Sequence, residues 1–153
     1  MMSLTAAQLS ELTAQFFLAA AGTLSFAILF ACPRRCLPYC ALVGAVGWLW
    51  YELLILLGAD AATASLLAVI PLTILTRVFA ITQKTPVTVF LLTGIFPLVP
   101  GAGIYYTAYY FLQGEQELFA SKGGETFKVA LALALGIALV CSLPLPGGHE
   151  GKK

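Results

Sequence analysis

Charge is what this chain has least of. Lys, Arg, Asp and Glu make up 10% of its 153 residues, against about 25% in an average soluble domain. Too few polar side chains remain to cover a water-facing surface, and a mean hydropathy of +0.94 points the same way. Eight basic and seven acidic residues leave a net charge of +1, so no basic patch exists to neutralise phosphates and nucleic acid is set aside as a partner. Histidine is nearly absent too, and the single one, His149, stands in the polar C-terminal tail. The chain has no paired carboxylates, no Ser/His/Asp set and no glycine loop placed to cradle phosphate before a helix, so nothing marks an enzyme. Cysteine excludes less. Cys32, Cys36 and Cys40 recur every four residues, but Pro33 and Pro38 interrupt them and no histidine or acid stands near. That pattern reads as small apolar packing groups or free thiols, with no metal and no cofactor.

What the chain does have is apolar runs that approach or exceed the ~20 residues needed to cross hydrocarbon. They define an all-α integral membrane protein, one transmembrane domain with five helices at about residues 12–31, 39–57, 61–80, 86–112 and 127–143. The N-terminal segment has no basic residue and no convincing cleavage site, so the first span is expected to be retained. Gln8, Glu11 and Gln15 form a polar stripe entering it, and Cys32-Pro33-Arg34-Arg35 stops it. The second span carries Gly44, Gly47, Trp48, Trp50, Tyr51 and Glu52; the third carries Pro71 and Arg77. Residues 113–126 read as a polar loop. In the fifth span Ala130, Ala134 and Ala138 are four apart, which suits close packing in the bundle or against a partner, a second copy of the chain included.

The loops sort by charge. Arg34, Arg35, Arg77, Lys84, Lys152 and Lys153 fall on one side, and Glu11, Asp60, Glu115, Glu117 and Glu125 on the other, with only Lys122 and Lys128 against the trend. The positive-inside rule then puts the N-terminus outside and the C-terminus in the cytoplasm. The alternative is four spans with a re-entrant fourth segment, which weakens the charge pattern.

The fourth span is not one helix. Its 27 residues would reach about 40 Å at 1.5 Å per residue, beyond the ~30 Å of hydrocarbon. Pro97 and Pro100 lack backbone N–H groups, and Gly94, Gly101 and Gly103 flank them, so the sequence predicts two half-helices broken at residues 97–103 by a Pro-x-x-Pro-Gly segment. Irregular backbone in a membrane is tolerated where it is buried in protein or lines a water-filled cavity. The first half-helix is expected to present carbonyls, those of Thr93 and Phe96, and the second its N–H groups, with Gly101 and Gly103 letting a ligand touch backbone. A zwitterionic amino acid matches both ends. The candidate substrate-binding residues are therefore Thr93, Phe96, Pro97, Pro100, Gly101, Gly103 and Tyr105. A structural proline kink is the plainer reading. Tyr105, Tyr106, Tyr109 and Tyr110 stack at i, i+4 as an interfacial belt or the lining of an exit path. Glu52, the one acid within a span, is a candidate for proton coupling or the pathway, or else a residue snorkelling to the outer interface. Arg77 reads as a cytoplasmic anchor.

Arg77, then Lys84-Thr85-Pro86, then residues 95–105 (Ile-Phe-Pro-Leu-Val-Pro-Gly-Ala-Gly-Ile-Tyr) together resemble the signature of the threonine/serine exporter family, in its small-subunit type. Cys32-Pro33-Arg34 and Gly44-Ala45-Val46-Gly47-Trp48 extend the likeness, which covers about residues 20–140. The resemblance implies a bacterial inner-membrane secondary transporter that exports small hydroxy amino acids, driven by the proton gradient. It also implies a larger companion subunit supplying the half that fused exporters carry in one chain. Some members of the family export succinate, which keeps a dicarboxylate exporter open as an alternative. In a reading of another class the chain is a scaffold for assembly and does not transport; a scaffold, however, has no need of the break.

Overall fold

A computed structural model of the protein describes residues 6–144. The tail residues His149, Lys152 and Lys153 lie outside the described residues. Six α-helices and no strand make up what is described: α1 (Ala6–Leu29), α2 (Leu37–Leu56), α3 (Ala61–Gln83), α4 (Val87–Ile95), α5 (Gly101–Gln113) and α6 (Gln116–Ser142). α1, α2, α3 and α6 are each long and apolar enough to cross a membrane, and the pair α4 and α5, bent by 59° at the break, makes a fifth candidate if taken as one span. The chain is an all-α membrane protein.

Local chemistry explains where these helices stop. α1, α2, α3 and α5 all end with the same device, a residue in the left-handed region followed by an N–H that reaches back five residues. The bonds are Cys32 N–H to Ala27 O, Ala59 N–H to Leu54 O, Thr85 N–H to Ala80 O and Glu115 N–H to Tyr110 O, all 3.0 Å. Gly58 and Gly114 fill the left-handed position in two of them, and Ala31 (φ 52°) and Lys84 (φ 49°) in the others. α3 starts on Asp60, whose carboxylate accepts from the N–H groups of Ala62 and Thr63 at 3.2 Å and from the Thr63 hydroxyl at 2.6 Å. The Thr63 side chain, then its N–H, holds the Asp60 carboxyl below its ordinary range. The cap is therefore complete above the usual carboxyl range and weakens as pH falls through that lowered value.

α2 is the hub, packing against α1, α3, α4 and the 3-10 turn that follows α4. It can do so because glycines let backbones come close. A Cβ at Gly44 would overlap the Thr23 side chain of α1, and one at Gly47 would overlap Leu72 of α3. In return Val43 of α2 fills the space over Gly94 of α4. Val69 of α3 sits over Gly136 of α6, and Thr126 of α6 over Gly103 of α5. The buried centre of this arrangement is Val43, Ala68, Val69, Leu72, Leu98 and Leu133, with a second cluster of Ala27, Cys36, Cys40, Ala80 and Phe90.

Two expectations need correction. Residues 113–126 are not a loop: α6 begins at Gln116, so the charged stretch forms the first turns of that helix. Lys122 and Glu125, three apart, bridge on one helical face at 2.9 Å, a spacing that favours helix over loop. The break is also tighter than residues 97–103, because a 3-10 turn at Phe96–Leu98 carries on from α4 and α5 restarts at Gly101. α5 has no buried residue and packs chiefly on α6, so the break turns the second half-helix away from the α2–α3 core.

The glycine contacts predict unequal costs. Gly44→Ala forces the stiff, buried Thr23 to shift, with an expected loss of about 1–3 kcal/mol. Gly101→Ala meets nothing within 4 Å and is expected to leave stability nearly unchanged. Unfolding midpoints in a mild-detergent and dodecyl sulfate titration check this. Equal midpoints for the two variants would rule out the Gly44–Thr23 contact as a constraint.

Candidate functional site

The break opens a cavity of about 430 Å³, within the ~300–1,000 Å³ range of small-molecule sites. Its wall includes residues 97–103, which run from the 3-10 turn across Val99 and Pro100 into the first turn of α5. Trp48 and Tyr51 of α2, Ala61 and Ser65 at the start of α3, Tyr106 of α5, and Lys122, Glu125, Thr126 and Val129 of α6 complete it. Trp48 is held in place from both sides. Its indole N–H donates to the Gln15 side-chain oxygen at 3.1 Å, and its ring stacks on Tyr51 with centroids 5.4 Å apart. No side chain caps the start of α5 at Pro100.

Pro97, Pro100, Gly101 and Gly103 all line this cavity. The other expected site residues do not join them there. The hydroxyl of Thr93 is buried and turned back on its own helix, donating to Val89 O (3.0 Å) or Phe90 O (3.2 Å). Thr93 borders a separate space of about 260 Å³ beside Cys32. The ring of Phe96 stacks on Phe26 of α1 at 4.2 Å and faces another space of about 270 Å³ shared with Gln15, Trp48 and Pro97. The carbonyl of Phe96, expected to be free, accepts from the Val99 N–H at 3.2 Å, because the 3-10 turn supplies a donor three residues on. Tyr105 is 64% exposed and stacks on Tyr109, while Tyr106, one position on, reaches the cavity. The two glycines differ as well. Gly101 faces open space, whereas Gly103 is where α5 meets Thr126 of α6.

Glu52 is half-buried on α2 and is absent from the cavity lining. Arg77 donates to the carbonyl of Val140, near the end of α6. The same carbonyl accepts from the Leu143 N–H at 3.3 Å, so the guanidinium adds a second bond near the end of α6 and ties α3 to it. The most consequential residues missed in the sequence are Lys122 and Glu125, hidden by the reading of their segment as a loop. Among the described residues no group of His, Cys, Asp and Glu could hold a metal ion.

A second, larger space of about 880 Å³ lies between α5 and α6. Its few hydroxyls are spent locally, Thr107 donating to Gly103 O and Thr126 to Lys122 O. Its lining holds no charged side chain, whereas the cavity at the break holds Lys122 and Glu125, so the latter is the candidate site. A family model described as "Threonine/Serine exporter, ThrE" matches residues 15–143. The chain belongs to that family. No solved structure matches it. In this exporter chain the matched residues include the whole break and every helix that lines the cavity.

Arg77→Met is expected to remove the charge-assisted bond between α3 and α6, leaving the Val140 carbonyl with the Leu143 N–H alone, and to cost about 1–3 kcal/mol. Arg77→Lys, which keeps a donor and the charge, is expected to lose less. Thermal unfolding of the purified variants decides it, and a Met variant as stable as the parent would refute the tie.

Proposed function

We propose that this chain is the small membrane subunit of a secondary transporter that exports threonine and serine. It works with a larger companion subunit and is coupled to the proton gradient. The observation that carries this reading is the break between α4 and α5, whose residues 97–103 line a cavity of about 430 Å³. Irregular backbone at membrane depth is tolerated where it is buried in protein or lines a water-filled cavity, and this break borders a cavity. Membership of the threonine/serine exporter family supports the solute class.

In this reading the chain has five spans, with α4 and α5, bent by 59°, taken together as the broken fourth. Basic loops face the cytoplasm in this arrangement, and the acidic start of α6 faces outward. In the bacterial cytoplasmic membrane, substrate would reach the cavity from the α4 side and leave past Tyr106. Thr93 and Phe96 support the break from within the bundle, while Pro97, Pro100, Gly101 and Gly103 border the solute. Glu52, half-buried on α2, is the group through which a proton could be handed on.

Labelled threonine, serine and succinate are to be followed into vesicles carrying the chain, its companion or both. Gly101→Leu is the sharp variant, since Gly101 lines the cavity and a Cβ there meets nothing within 4 Å. Transport is expected to fall at least tenfold while the chain still assembles, and unchanged transport would sink the site. For orientation, Ser121→Cys in a chain whose native cysteines are replaced is expected to react with an impermeant thiol reagent added outside. Reaction from the cytoplasmic side alone would overturn the five-span arrangement.

A further inference from the structure

Among the residues lining the cavity, only Lys122 and Glu125 carry charge. Their side chains bridge at 2.9 Å and remain 44% and 63% exposed. A pair so open to water is weakly held, and a solute that offers each partner an opposite charge can take the place of the bridge at little cost. The rest of the wall selects for the same kind of solute. Trp48 and Tyr106 enclose it with aromatic surface, and the open side of Gly101 leaves room beside the backbone.

Resting on the reading of this cavity as the substrate site, the geometry points to Lys122 and Glu125 as the residues that read the two charges of an α-amino acid. Lys122 takes the carboxylate and Glu125 takes the ammonium. An α-amino acid carries both charges on one carbon, close enough together to face two side chains that already touch. Charge-assisted hydrogen bonds of this type are the stronger ones, and a small molecule that carries both charges can form the two together. A dicarboxylate fits badly, because its second carboxylate meets Glu125 instead of a cation. This assignment replaces the carbonyl end of the backbone clamp, since the Phe96 carbonyl already has its donor.

Trp48 lines the same cavity and provides an optical readout independent of transport. The full chain with Trp50→Phe, purified in detergent, is titrated with threonine, threoninamide, N-acetylthreonine and succinate while tryptophan emission is recorded. Threonine is expected to give a saturable change, with the other three at least tenfold weaker. Lys122→Gln and Glu125→Gln are each expected to weaken threonine about tenfold. Glu125→Gln is also expected to narrow the gap between threonine and N-acetylthreonine, and Lys122→Gln the gap between threonine and threoninamide. Absence of any saturable change with threonine, threonine binding unaltered in both variants, or succinate binding as tightly as threonine would each overturn the assignment. Vesicle transport separates the two levels of the argument. Transport that persists in both variants keeps the exporter and rejects the pair, while saturable, pair-dependent threonine binding without transport keeps the pair and rejects the exporter.

Discussion

Close approach of helix backbones at glycine is the constraint on which the rest of this structure depends. In hydrocarbon, apolar side chains gain little by leaving lipid for protein, so helices associate through tight packing where small residues allow it. Here the main interfaces contain one side chain seated over a glycine: Thr23 on Gly44, Leu72 on Gly47, Val43 on Gly94, Val69 on Gly136 and Thr126 on Gly103. Three of these five involve α2, which is why α2 can touch α1, α3 and α4 at once. With that hub in place, the 3-10 turn after α4 lies against α2, and Trp48 and Tyr51 come to face the break.

Polar groups within the bundle follow a matching economy. Thr23, Thr73 and Thr93 are fully or nearly buried, and each turns its hydroxyl to a carbonyl of its own helix. The core therefore holds hydroxyls without asking neighbouring helices for partners. Polar groups that do reach between elements are few and well placed: Gln15 steadies Trp48 at the cavity, and Arg77 finishes the end of α6. Among the described residues one buried side-chain polar atom has no partner, the Thr76 hydroxyl of α3, while at the break α5 starts without a side-chain cap beside the one charged pair of the cavity. Such an arrangement suits a protein that must stay closed to lipid and still meet a hydrophilic solute at one point.

Much of this was legible in the residues. Pro97 and Pro100 told where the helix must break, Cys32-Pro33 and Gly58-Ala59-Asp60 told where helices must stop, and the scarcity of charge told what solvent surrounds them. The errors have physical causes. Counting Phe96 O as free ignored the 3-10 turn, which offers a donor one residue earlier than an α-helix does. Choosing Tyr105 over Tyr106 required knowing that α5 restarts at Gly101, because each residue of phase turns a side chain by about 100°. Reading residues 113–126 as a loop weighed polarity over the helical spacing of Lys122 and Glu125, and so removed the cavity's charged pair from view.

By itself the sequence determined the all-helical membrane architecture and the place of its interruption. Hydrocarbon offers no partners to backbone groups, so an apolar chain must be helical there, and proline cannot donate wherever it stands. Only the tertiary structure decided what the interruption faces. Gly101 and Gly103 look alike in sequence, yet one borders open space and the other is pressed against Thr126, because α6 approaches α5 on one side only. Which side chains meet at the break likewise depends on the angle at which α5 leaves α4 and on the tilt of α6 across it. Those are properties of packing between distant segments, and local spacing carries no record of them.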